Sequence, residues 1–169
     1  MLHRLQTLSE KLLQLARAES GISWKSAEID LAELLKLIRD DHQWRTELQL
    51  QLSQPTSPVI IQGDIDALGI VLGNLLENAI KYASPGSSIQ LNMRTEPTQI
   101  CIVNDCDPLP QSTIERLHER FYRAQSDCRG SGLGLSIVQT LLKPTSIAFN
   151  IQSPATGSQR GFEAKLTWS

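Results

Sequence analysis

The segment NLLENAIKY, residues 74–82, sets two carboxamides four residues apart in an otherwise apolar run. On a helix that spacing puts Asn74 and Asn78 on one face, with Tyr82 one turn further and Lys81 beside it. Stacked amides offer oxygen ligands to a hard cation and N–H donors to phosphate oxygens, and a lysine adds positive charge. Two satisfied core amides would give the same pattern. Further on, GSGLGLSIV (130–138) is a glycine-rich turn feeding a helix. Backbone N–H groups and the helix dipole at such a turn favour an anion, although such turns also serve tight packing. Between the two, VND (103–105) ends a run of apolar residues with an acid, Asp105. A carboxylate facing a cleft there can accept from an exocyclic amine such as that of adenine; a strand-end Asp is also a common turn residue. Amide helix, acid, then glycine loop is a more specific order than any one feature.

These residues need elements to hold them. Leucines at steps of three and four predict a helix over residues 2–19, with a stop at Gly21. That stripe is narrow, so it predicts a partner helix, with packing on its own domain as the alternative. A short strand over 27–31, an amphipathic helix over 31–45 and strands over 48–53 and 59–63 follow. Asp64 is placed to cap a long helix reaching about Tyr82. Residues 88–95 and 99–105 form a hairpin, 108–121 turns helical, 125–132 has a loop's composition, and 132–142 is a helix that Lys143–Pro144 breaks. The end of the chain supplies two strands. Strands and helices without strict alternation predict an α+β two-layer α/β sandwich: a mixed, mostly antiparallel sheet covered on one face by helices.

Bulk properties narrow the field. The 169 residues are 40% hydrophobic and 20% charged with net charge −2, enough for one core and without the basic footprint of a nucleic-acid binder. The three cysteines, Cys101, Cys106 and Cys128, have no zinc spacing and read as reduced thiols. No run approaches the ~20 apolar residues of a membrane span, and the N-terminus lacks the features of a signal peptide, so a soluble piece is expected.

With these motifs in place, the chain resembles the catalytic ATP-binding domain of bacterial sensor histidine kinases, the Bergerat (GHKL) fold shared with gyrase, Hsp90 and MutL ATPases. NLLENAIKY looks like the N box, VNDCDPLP stands where the G1 box should be, ERFYRA looks like the F box, and GSGLGLSIV the G2 box. The last blocks look most like those of QseC- and PmrB-type kinases. The resemblance covers about residues 22–169, and residues 2–20 resemble the end of a dimerisation and phosphotransfer helix. It therefore divides the chain into 1–20, the end of that helix, and 21–169, the catalytic domain.

The resemblance implies ATP and Mg²⁺ as cofactors. Asn78 would coordinate Mg²⁺ and is the implied metal ligand. Asn74 and Lys81 would line the phosphate path as catalytic residues, Tyr82 would flank the nucleotide, and Asp105 would accept from the adenine amine. Gly130, Gly132 and Gly134, with Leu133 and Leu135, would form the hinge and cradle after the ATP lid. Phe121 would anchor the lid's start, and Arg123 and Arg129 would contact phosphate. Asn74 stands where hydrolysing relatives carry a glutamate base, which favours phosphoryl transfer to histidine over hydrolysis. The accepting histidine is absent: His3, His42 and His118 lack its context. The implied partners are a separate histidine-bearing dimerisation domain and a response regulator. The full-length protein would be a homodimer at the cytoplasmic face of the bacterial inner membrane, and this piece a weak dimer or monomer.

One block departs from the family. Both G1 glycines are replaced, by Asp107 and Leu109. Glycine at such places allows positive φ and close approach to a ligand. The change predicts a displaced loop and weakened nucleotide binding, and it motivates the alternative of a nucleotide-free module acting through protein contacts.

Overall fold

The computed structural model describes residues 2–20, 25–124 and 131–169, with the first four of these by backbone alone. The elements run α1 (Leu2–Glu19), β1 (Ala27–Asp30), α2 (Leu31–Gln43), β2 (Gln49–Ser53), β3 (Ile60–Gly63), α3 (Ile65–Tyr82), β4 (Ser88–Thr95), β5 (Thr98–Asn104), α4 (Gln111–Arg116), α5 (Gly134–Leu142), β6 (Ala148–Gln152) and β7 (Phe162–Thr167). Five strands form one sheet in the order β2-β4-β5-β7-β6, and β1 and β3 form a separate antiparallel pair. The β2–β4 pairing is parallel; the other neighbours in the large sheet are antiparallel. This is the α+β sandwich expected from the sequence.

Alternation sets the inner face. Ile89, Leu91 and Met93 of β4, Ile100 and Ile102 of β5, and Phe162, Ala164 and Leu166 of β7 are buried. Residues between them, such as Gln90, Gln99 and Lys165, lie on the other face, beside an open polar cleft. α3 and α5 supply the opposing layer through Leu68, Leu72, Leu75, Leu76, Ile137 and Val138. Leu68, Leu72 and Leu76 are fully enclosed, and each such side chain contributes about 1.5–3 kcal/mol.

α3 begins as the sequence predicts. The Asp64 carboxylate accepts from the N–H groups of Asp66 and Ala67, both at 3.0 Å, and from that of Lys25 at 2.9 Å. Burial opposes the charge, but these backbone donors outweigh it and hold the carboxyl below its ordinary pKa. Two boundaries differ from expectation. The 108–121 segment is helical only at Gln111–Arg116, because turns follow and Phe121 takes φ 64°. α5 starts at Gly134 rather than 132, because Gly132 is left-handed with φ 70°.

α1 packs on its own domain, against α5. Leu15 is buried in the core, Leu8 and Ala18 pack against it, and Glu19 pairs with Arg120. Leu12 and Leu13 stay exposed. Among the described residues no helix is long and apolar enough to cross a membrane. Cys101 and Cys106 are free thiols, and Cys128 lies outside the described residues.

Candidate functional site

A cavity of about 440 Å³ opens between α3, the N-terminus of α5 and the loop after β5, with one side closed by α1. Asn74, Asn78, Lys81, Tyr82, Gly132, Gly134 and Leu135 all line it, so the amide helix and the glycine turn meet as expected. The two amides differ. Asn74 is 3% exposed and fully engaged. Its Nδ2 donates to the Ile70 carbonyl at 2.8 Å and to Gln14 Oε1 at 3.4 Å, and its Oδ1 accepts from Lys11 Nζ at 2.7 Å. Asn78 is half-buried, and its carboxamide has no hydrogen-bond partner among the described residues. One amide is built into the wall; the other is left with its oxygen free for a ligand. Lys81 donates to its neighbour's hydroxyl, Tyr82 Oη, at 2.8 Å and lies 4.4 Å over that ring, which holds both at the cavity.

Gly134 and Gly132 serve different ends. A Cβ at Gly134 would sit 3.4 Å from Asn74 Oδ1, which places the first turn of α5 directly against the amides. At Gly132, a Cβ would lie 2.7 Å from the Phe121 carbonyl carbon, and φ is already left-handed. The Phe121 N–H donates to the Gly132 carbonyl at 3.0 Å, so the two residues clasp the base of segment 122–131.

Several expected positions need correction. The Phe121 ring is 60% exposed, so it clasps through its backbone rather than anchoring through its side chain. Leu133 is fully buried in the core and does not reach the cavity. Arg123 is exposed and is not among the lining residues. Arg129 and Gly130 lie outside the described residues.

The largest correction concerns Asp105. Its Oδ1 accepts from Arg160 Nε at 3.0 Å, and Asp107 takes Arg160 Nη1 at 3.1 Å. The carboxylate therefore borders the open cleft on the outer face of the sheet, not the α3–α5 cavity. Strand parity is the reason. Ile100 and Ile102 point inward, so the next inward residue is Asn104, which is 1% exposed. Asn104 lies directly opposite Phe162 in the ladder, and Phe162 lines the cavity. The Asn104 Nδ2 is buried and meets no oxygen or nitrogen acceptor; it lies against the Cys106 thiol, and it is Cys106, not Asn104, that borders the cavity. Burial first, and then the nearby Asp105 charge, push the Cys106 thiol up, which keeps it protonated at neutral pH. Continuing the alternation from Ile100 would have found Asn104 in the sequence.

The loop after β5 is not strained by losing its glycines. Phe121 is the non-glycine residue with positive φ among the described residues, so Asp107 and Leu109 take ordinary backbone angles. The Leu109 N–H donates to Ser153 Oγ at 3.0 Å, and its side chain packs against the core at the cavity's edge.

Comparison with known proteins decides the family. Residues 63–167 match the histidine kinase-, DNA gyrase B-, and HSP90-like ATPase family. The chain belongs to that family. Over 147 residues it is 37% identical to the swarming motility regulation sensor protein RssA of Serratia marcescens, covering 83% of this chain and 31% of RssA. Over 171 residues it is 32% identical to the sensor protein QseC of Escherichia coli K12, covering 98% of this chain and 37% of QseC. The chain thus spans about a third of the length of these curated relatives. Among solved structures, full-length ShkA in complex with AMPPNP superposes with a TM-score of 0.78 at 22% identity, over 97% of this chain and 35% of that one. At that identity the likeness speaks for the fold.

Proposed function

We propose that this chain is the ATP-binding catalytic domain of a two-component sensor histidine kinase, passing the ATP γ-phosphate to a histidine on a separate dimerisation domain. The free carboxamide of Asn78 carries this reading: it faces the same cavity as Lys81 and the N-terminus of α5. The donor set fits MgATP. Among the described residues no three His, Cys, Asp or Glu side chains could hold a metal together. A cation here would take Asn78 as its protein ligand and draw the remaining oxygens from phosphate and water, as Mg²⁺ commonly does. When bound, Mg²⁺ supplies charge neutralisation on the phosphates.

This chain's residues do the positioning, which is most of phosphoryl-transfer catalysis. Lys81 and the α5 N-terminus offset phosphate charge, Gly134 lets backbone approach, and Tyr82 flanks the nucleotide. Asn74 has no proton-accepting group near neutral pH and is held by three hydrogen bonds, so it orients the wall rather than activating water. Asn104, behind Cys106, replaces Asp105 as the side chain for the purine: its Nδ2 is a donor for a ring nitrogen, and its Oδ1 is the atom that would accept from the amine. Arg129 and Gly130 belong to this proposal on the sequence alone.

The same reading makes α1 the end of a dimerisation helix. It also makes the whole protein a homodimeric membrane sensor whose phosphohistidine serves a response regulator. Titration calorimetry with MgATP tests the site: Asn78→Ala is expected to weaken binding at least tenfold. Phosphotransfer from [γ-³²P]ATP to an added histidine-bearing hairpin tests the reaction. Equal MgATP affinity in the parent and Asn78→Ala would mean that the site is misassigned.

A further inference from the structure

The cavity has a wall that the amide and glycine motifs do not supply. Lys11, in the middle of α1, lines it with a side chain only 12% exposed. Its Nζ donates to Asn74 Oδ1 and to Glu77 Oε2, each at 2.7 Å. An ammonium has three N–H donors, and these two acceptors leave one N–H directed elsewhere. Desolvating a lysine is costly unless its charge is met, and here a neutral amide and one half-exposed carboxylate meet it.

Position along α3 says what the remaining donor serves. Ser84, just past the end of α3, donates its N–H to the Asp105 carbonyl at 2.7 Å, which ties that end to the strand end that holds Asn104. From Tyr82, the last residue of α3, back to Asn74 is about 12 Å at the rise of an α-helix. A nucleotide whose base lies near Asn104 therefore carries its last phosphate toward Asn74. Lys11 sits at that far end, beside the first turn of α5, since Asn74 Oδ1 also lies 3.4 Å from where a Gly134 Cβ would be. An ammonium and a helix N-terminus converge on one point.

We infer that Lys11 is a ligand of the terminal phosphate, so that the nucleotide site is complete only with α1 docked. This rests on the nucleotide reading proposed above. The apolar packing of Leu15 and the Glu19–Arg120 pair hold α1 in place, and Lys11 turns that docking into a contact with the γ-phosphate. MgATP binding and α1 docking then reinforce each other. MgADP, one phosphate shorter, gains little from the lysine.

Calorimetric titration of MgATP and MgADP into the full chain, Lys11→Met and Lys11→Arg tests this. Lys11→Met keeps the aliphatic stem and should stay folded by circular dichroism. It is expected to bind MgATP about tenfold more weakly than the parent and MgADP within twofold. Lys11→Arg should recover most of the loss. If Lys11→Met binds MgATP as tightly as the parent or more tightly, the lysine merely plugs the site and the inference is overturned. An equal loss for both nucleotides also overturns it, because the contact would not be with the terminal phosphate. If the parent binds neither nucleotide, the nucleotide reading falls and takes this inference with it. MgATP binding that ignores Lys11→Met leaves that reading standing.

Discussion

The two ends of the cavity are built differently. At the end proposed for the phosphates, Asn74 is locked, Asn78 has its carboxamide free, and Lys81 is braced on Tyr82. Glycines keep the backbone close. At the base end, the acid has turned away to Arg160, a buried amide meets no oxygen or nitrogen acceptor, and Cys106 and Leu109 fill space. The first end is organised for an anion and a cation whatever base they carry. The second holds the loop where the resemblance leads one to expect two glycines and this chain has none. Affinity and selectivity for the base should therefore vary independently of catalytic competence.

Gly132→Ala is the harshest way to break that contrast, because it strikes the organised end. An alanine at φ 70° costs roughly 1–2 kcal/mol, and its Cβ would lie 2.7 Å from the Phe121 carbonyl carbon. A total loss of about 2 kcal/mol corresponds to a Tm drop of about 4–8 °C for a chain of this size. Differential scanning calorimetry reads the drop, and MgATP titration should show weakened binding as the Phe121–Gly132 clasp opens. An unchanged Tm would mean that the clasp is not needed to close the base of the loop.

Cys106→Gly sharpens the comparison from the other end. The thiol lies against the Asn104 side chain and borders the cavity, so removing it both opens a path to that buried amide and leaves its Nδ2 unmet. An unmet buried polar group costs about 1–3 kcal/mol, and a purine that supplies the partner recovers part of this. MgATP affinity is expected to rise about threefold to tenfold, at a stability cost of under about 1 kcal/mol from the added backbone freedom. Unchanged or weaker binding would show that Cys106 does not obstruct the base.

The phosphate end was the more legible of the two in the sequence, for a physical reason. Asn74 and Asn78 are one helical turn apart, and Gly132 and Gly134 lie just before and at the start of α5, so each signal is local and survives any packing. At the base end, the acid at 105 drew attention from the plain alternation of Ile100 and Ile102, which already pointed Asn104 inward. A one-residue slip in a strand reverses the face, so parity outweighs residue type there. Lys11 could not be read at all: its partner Asn74 is 63 positions away, and nothing local distinguishes it from a solvated helix lysine. Phe121 misled in the opposite sense, since an aromatic suggests a buried ring, whereas its backbone angle and N–H do the work. The sandwich itself followed from periodicity, although the parallel pairing of β2 with β4 had no local signal.

Arg160→Ala is the mildest test and bears directly on where Asp105 acts. The pair is half-exposed on both sides, 51% for the arginine and 43% for the aspartate, so solvent screens it and its loss should leave Tm almost unchanged. With Arg160 gone, Asp105 faces only water on the outer side of the sheet, because the strand's parity fixes its direction. MgATP affinity should then stay within threefold of the parent, as should the effect of a further Asp105→Asn change. A larger change in either titration would mean that the released carboxylate reaches the base. The selectivity assigned to Asn104 would then return to Asp105, and the base end would be an ordinary one masked by a single surface ion pair.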